Sequence, residues 1–290
     1  MLRGRRLQAP FYGVRVAAGG AETLIGRCAA LAARYPDAAF SHRTAALLYE
    51  LPLPTDFSRR GSAMRAGSAV DPTDGQPARE MPLTLDVMVP AGRRAPRARG
   101  LNGHTGLRPS DTQMLSCGLR VVRAPLVWSQ LAAVLDLIDL VVLGDACLGR
   151  GLATTTQLRE LAVAGHGRGV RRMRRALPLL DSRAESPMES HLRVLIVLAG
   201  LPVPEVNKDV VENGLWLARP DLSYPRRRIA IEYEGDHHRT DRRQWRSDKR
   251  RRRLLEDAGW MVVEVTADDV YRYPDELISR LRRLVAGRTH

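Results

Sequence analysis

No stretch of this chain is apolar enough to suggest a membrane span. The most apolar region, residues 131–148, carries Asp136, Asp139 and Asp145, charges that are costly at bilayer depth, so it reads as a buried helix. Cysteine is scarce: Cys28, Cys117 and Cys147 stand far apart with no C-x-x-C pair. That pattern suggests a reducing compartment and neither a zinc site nor a disulfide framework. The basic start runs into Pro10-Phe11-Tyr12-Gly13 instead of an apolar stretch, so no secretory signal is expected and a cytoplasmic protein is. No internal repeat is visible. Lysine is rare as well. The positive charge rests on arginine, which a GC-rich coding sequence can produce by itself.

What the chain does have is a large positive excess, +14 over 290 residues, on a background that is 44% apolar. The apolar share excludes global disorder, and the length suits two domains, each able to bury a core. Charge of this sign favours an acidic polymer as partner: DNA, RNA or an anionic membrane surface.

The first half reads as mostly helical with a few strands. A short β-like run over 11–16 precedes a helical pattern over 22–35, with Leu24, Cys28, Leu31 and Ala32 on one face. Ser41 is placed to cap a second helix over 44–51, which Pro52 and Pro54 stop. Residues 56–82, rich in Gly, Ser, Pro, Asp and Arg, read as a flexible insertion. Strands are expected over 83–89 and 119–122, with a glycine-containing loop region between them, and helices over 127–135, 138–148, 156–164 and 170–180. A boundary near Ser182 separates a domain over 1–181 from one over 182–290. The second half has the order α-β-β-β-α-β-α: a helix over 186–199, strands over 205–211, 215–219 and 228–234, a polar helix over 242–258 stopped by Gly259, a strand over 260–265 and a helix over 275–285.

The chemistry concentrates there. Pro220-Asp221 ends one short apolar run, and Glu232 and Glu234 alternate along Ile229-Ala230-Ile231-Glu232-Tyr233-Glu234. Residues two apart on a strand share a face, so Ile229, Ile231 and Tyr233 point into a core and both glutamates to the other side. Pairing this strand with the one ending near Asp221 brings three carboxylates together. They repel unless a hard divalent cation such as Mg2+ or Mn2+ holds them. Each acid also has a plainer explanation: Asp221 as a turn residue, Glu232 and Glu234 as a solvated strand face, and Glu189 as the partner of Ser186 in a capping box with Pro187 at the first helical position. His238 follows a glycine turn beside the acids. Arg242, Arg243, Arg246, Lys249, Arg250 and Arg251 crowd one helix and Arg239 continues the run upstream, a density that an anion such as backbone phosphate would neutralise.

The order of elements, with Ser186-Pro187-x-Glu189, Pro220-Asp221, Glu232-x-Glu234-Gly235-x-x-His238, Asp248-x-x-Arg251-x-x-x-Leu255 and Gly259-Trp260, resembles the restriction-endonuclease-like PD-(D/E)XK fold. It is most similar to the branch related to very-short-patch-repair endonucleases, over residues 184–286. More loosely, Phe40-Ser41-His42-Arg43-Thr44-Ala45-Ala46 and Leu51-Pro52-Leu53-Pro54 resemble segments that accompany AbiEi-antitoxin-like winged helices. The resemblance implies a mixed sheet flanked by helices and an endonuclease using Mg2+ or Mn2+, held by Asp221, Glu232 and Glu234. Glu189 and His238 would assist, and the basic helix would track DNA. It also implies roles in repair or mobile-element defence. Glu234 stands where the family name promises lysine. A carboxylate cannot stabilise developing negative charge, but it can ligate a second metal or orient water. That departure motivates a rival, a non-catalytic DNA-binding regulator with a degenerate core. A second rival is a nuclease acting on RNA.

Overall fold

A computed structural model describes residues 7–11, 14–17, 23–54, 84–234 and 242–287; the insertion expected over 56–82, together with His238 and Arg239, lies outside them. The chain is an α/β protein of two compact units, residues 1–143 with 152–174, and residues 144–151 with 175–290. The sequence boundary near Ser182 differs from this division for a local reason. Asp145 is bonded to Arg193 at 2.6 Å and accepts the Asp181 N–H at 2.7 Å, which ties 144–151 to the later chain. Among the described residues no helix is long and apolar enough to cross a membrane.

In the first unit a hairpin of β1 (Leu7–Phe11) and β2 (Val14–Ala17) precedes α1 (Leu24–Arg34), which Thr23 caps by accepting the Gly26 N–H at 3.0 Å. Next come β3 (Ala39–Phe40), α2 (His42–Leu48), β4 (Leu85–Pro90), β5 (Leu101–Leu107), β6 (Thr112–Met114) and β7 (Arg120–Val122). Helices α3 (Ala124–Leu131), α4 (Leu137–Gly149), α5 (Thr155–Ala164) and α6 (Val170–Ala176) follow. The five-stranded sheet has the order β5-β4-β3-β7-β6, so this unit carries more strand than the sequence suggests. Strand β5 falls in the region read as loop on account of its glycines. Gly103 is there because a Cβ would lie 2.2 Å from the Pro96 carbonyl oxygen, not because the chain turns. Ser41 occupies the N-cap position of α2 without capping it. Its Oγ sits 3.0 Å from His42 Nδ1, and the His42 N–H donates to Gln130 Oε1 at 2.9 Å.

The second unit, which also takes the ends of α4 and α6, continues with α7 (Pro187–Leu198), β8 (Glu205–Val206), β9 (Val210–Glu212), β10 (Leu215–Ala218), β11 (Leu222–Tyr224), β12 (Ile229–Tyr233), α8 (Arg242–Asp257), β13 (Met261–Val265), α9 (Ala267–Tyr271) and α10 (Pro274–Gly287). Its mixed sheet has the order β13-β12-β11-β8, with β12 parallel to β13 and the other pairs antiparallel. Both faces of β12 are covered. Ile229 and Ile231 pack with Leu192 and Ile196 of α7 and Leu277 and Leu281 of α10, and Tyr233 lies against the same cluster. Ala230 faces the other way, against Leu255 of α8, Trp260 and Val262. Gly259, at φ +79°, lets the chain leave α8 in a left-handed turn and enter β13.

One pairing differs from expectation. The antiparallel partner of β12 is β11, which begins after Asp221, whereas Leu215–Ala218 pairs with β9 in a separate ribbon. Leu222–Tyr224 is only three residues long and sits between Pro220 and Pro225, too short for a periodic signal.

Candidate functional site

Register builds the acidic cluster. Leu222 pairs with Ile231, so Asp221, one step earlier, falls opposite Glu232 at the end of the β11–β12 pair. The half-buried Asp221 is held by its backbone and its side chain. Its carbonyl accepts the Asn207 N–H at 3.0 Å, and its Oδ2 accepts the Tyr233 N–H at 2.8 Å. Burial pushes its carboxyl up to about 6, helped by the nearby charges of Glu189 and Glu232, while the Tyr233 N–H and the Arg251 guanidinium act in the opposite direction. The charges of Glu189 on α7, Glu232 at the end of β12 and Arg251 on α8 thus all bear on Asp221, although the three carboxylates do not bring their oxygens within 4.8 Å of one another.

Glu189 is buried, and its hydrogen bonds go beyond capping. The Ser186 hydroxyl accepts the Glu189 N–H at 3.1 Å, but the carboxylate does not return the bond to Ser186. Its Oε2 instead accepts the Glu185 N–H at 2.9 Å and the Asn207 Nδ2–H at 2.6 Å. Asn207, at φ +46°, also donates to the Arg183 carbonyl at 2.8 Å, while its own carbonyl accepts from Arg219 Nε at 3.0 Å. Arg219 in turn pairs with Glu185. Sequence reading missed Asn207, which holds the Glu189 carboxylate and the Asp221 backbone at once. Its one signal was an asparagine between short strands, the residue type that tolerates left-handed backbone.

Glu232 is half-buried on β12, on the same face as Ala230. Glu234 lies one residue past the strand, exposed, with its N–H donated to the Val265 carbonyl at 2.8 Å. The charges acting on Asp221 come from Glu189, Glu232 and Arg251; Glu234 is not among them. On α8, Lys249 and Arg250 are exposed and Arg251 is half-buried. Arg252 is engaged by Glu256 at 2.8 Å and by Glu264 of β13. Arg242, Arg243 and Arg246 fall on the backbone of α8, their side chains outside the described part. Trp260 is buried against Leu255, with Nε1 donating to Glu212 Oε1 at 3.2 Å, a packing role.

The three carboxylates suit a hard divalent cation. Two of them have oxygens to spare: among the described residues nothing donates to Asp221 Oδ1 or Glu189 Oε1. The donor set fits Mg2+ or Mn2+ and lacks the soft ligands that would favour another metal.

A second cluster went unnoticed in the sequence. In the first unit His42, Asp86 and His104 each offer a ligand atom, all within 4.8 Å of one another. Burial, with His104 close by, pushes His42 down to about 4 against the pull of Asp86, leaving a neutral imidazole at neutral pH. Asp86 and His104 lie on paired strands and His42 on α2, in no motif spacing, so only the tertiary structure unites them.

Over 140 residues the chain is 34% identical to two uncharacterized proteins of Mycobacterium tuberculosis, Rv2248 and MT2308, from two strains. The matched part is 48% of this chain and 52% of each relative, so the chain spans about half the length of the curated relatives it matches. No family model and no solved structure matches the chain.

Proposed function

We propose that the second unit is the core of a Mg2+-dependent endonuclease acting on DNA in a reducing, intracellular compartment. The observation that carries this reading is that Asp221 stands opposite Glu232 across the β11–β12 pair, with the charges of Glu189, Glu232 and Arg251 all acting on it. Asp221 and Glu232 would hold the metal, with Glu189 completing the donor set. A bound Mg2+ supplies Lewis-acid polarisation of a phosphoryl oxygen and acidifies bound water. The chain's own residues do the positioning. The Tyr233 N–H fixes the Asp221 carboxylate, and Asn207 with the Glu185 N–H fixes that of Glu189. Arg251 provides a positive charge where the Glu234 position has none, suited to a phosphate that gains charge during in-line attack. Lys249 and Arg250, exposed on α8, contact the backbone of the substrate, giving salt-sensitive affinity with little sequence preference.

The test is cleavage of a DNA panel (single-stranded, duplex, mismatched and branched) and a matched RNA duplex, with Mg2+ or Mn2+. Glu232→Gln is the control. The expected result is metal-dependent cutting of DNA that falls by on the order of 100-fold or more in the variant, with binding retained. Cutting of RNA alone would reassign the substrate. Binding without cutting, and without a Mg2+-induced rise in melting temperature, would favour the non-catalytic regulator.

A further inference from the structure

The first unit holds a cluster of a different chemical type. Strands β4 and β5 run parallel, with Asp86 opposite Asn102 and Met88 opposite His104. Asp86 and His104 therefore lie one pleat apart on the same face, and Asp86 Oδ1 sits 3.2 Å from His104 Nε2. Asn102 donates to the same oxygen at 3.3 Å. The third member comes from α2, across β3. His42 stacks on His104 with ring centroids 3.8 Å apart and an interplanar angle of 19°.

We propose that His42, Asp86 and His104 bind a divalent transition-metal ion of the zinc class, with a coordination position left open. Two imidazoles and a carboxylate are the donors such ions take when three protein ligands are present, and the fourth position then goes to water or an incoming ligand. Bond lengths of about 2.0–2.1 Å to a tetrahedral ion put donor atoms about 3.3–3.4 Å apart. The His104–Asp86 pair already meets that spacing at 3.2 Å. The widest separation in the cluster lies within 4.8 Å, and the stacked His42 and His104 rings turn out of their near-parallel arrangement for both in-plane lone pairs to meet one ion. The scarcity of cysteine excludes thiolate zinc sites, not this donor set.

The surroundings hold each ligand in place, as outer hydrogen bonds do around metal sites. His42 Nδ1 lies 3.0 Å from the Oγ of the fully buried Ser41, which leaves Nε2 for the ion. Its backbone takes φ +46°, an unusual conformation for a side-chain-bearing residue, and the Gln130 side chain accepts its N–H. Asp86 is fixed on both sides of its peptide: its N–H donates to Thr44 Oγ1 at 2.7 Å and its carbonyl accepts the Ser41 N–H at 3.1 Å. His104 is the more open member, its side chain 31% exposed, so an ion can enter from that side.

The full-length protein, stripped with a chelator and dialysed, is titrated with Zn2+ by calorimetry and with Co2+ by visible absorption. The expected result is one tight equivalent and a Co2+ spectrum showing nitrogen ligation, both kept in Glu232→Gln. In His104→Ala that equivalent should weaken by at least about 100-fold, and in Asn102→Ala, which leaves all three ligands in place, by about 10–100-fold. Circular dichroism and melting of the stripped variants guard against misfolding; Asn102→Ala serves if His104→Ala does not fold. Two results overturn the proposal: no tight equivalent in the wild-type protein, or an equivalent that survives His104→Ala and disappears in Glu232→Gln. The cluster is then a His–Asp hydrogen bond with a stacked ring, its charge balanced by the buried Arg43.

Discussion

Replacing Asp221 by asparagine removes a charge that the metal-free fold holds at a cost. Burial and the neighbouring acids push the Asp221 carboxyl from 3.8 to about 6. Between those values the unfolded chain has already lost its proton while the folded chain keeps it, so raising the pH favours unfolding. The contribution is favourable below about pH 4 and is lost as pH rises through about 6, where the full penalty applies. A shift of roughly two units corresponds to about 3 kcal/mol. Asparagine keeps an oxygen for the Tyr233 N–H, and the stronger bond that the charged carboxylate makes is already contained in the net shift. The net expectation is that Asp221→Asn stabilises the protein by about 3 kcal/mol at pH 8 in EDTA, shrinking toward zero near pH 4. Urea denaturation followed by circular dichroism, repeated across that range, reads it directly. Saturating Mg2+ should reverse the order, because binding to the folded state alone stabilises the wild-type site and not the variant. A variant less stable than wild type at pH 8 in EDTA, or a difference that ignores pH, would refute the account of the cluster.

Three further outcomes follow from the same geometry. Asp145→Ala leaves the buried Arg193 charge uncompensated and should cost about 3–5 kcal/mol in urea denaturation, whereas replacing both partners with apolar residues should cost far less. Asn207→Ala leaves the Glu185 N–H as the remaining donor to the Glu189 carboxylate among the described residues and should slow metal-dependent cleavage by roughly 10–100-fold with DNA affinity unchanged, as read by single-turnover kinetics beside a binding curve. Lys249→Ser and Arg250→Ser should each weaken DNA binding across all sequences and lower the slope of log affinity against log salt by about 0.9, measured by fluorescence anisotropy.

How much of this was legible in the sequence depended on the range of the interaction. Helices α7 and α8 are readable because their signals are local: Ser186 and Pro187 start one, Gly259 stops the other, and the buried Leu192 and Ile196 recur at helical spacing. The β12 alternation is readable for the same reason, and Ile229 and Ile231 face the core as the pleat requires. Strand β11 was not, since three residues between two prolines show no period, and β5 was hidden by glycines that serve a close approach to Pro96.

The sequence by itself determined the carboxylates near the end of β12, the basic run along α8 and the helical frame around them, because each is encoded within a few turns or pleats of chain. Only the tertiary structure decided that Asp221 stands opposite Glu232, that Asn207 grips Glu189, that Glu234 lies outside the group acting on Asp221, and that His42, Asp86 and His104 meet. Those are matters of strand register and of pairing between distant segments. A one-residue slip or a different neighbour would leave every local pattern intact and dissolve both clusters.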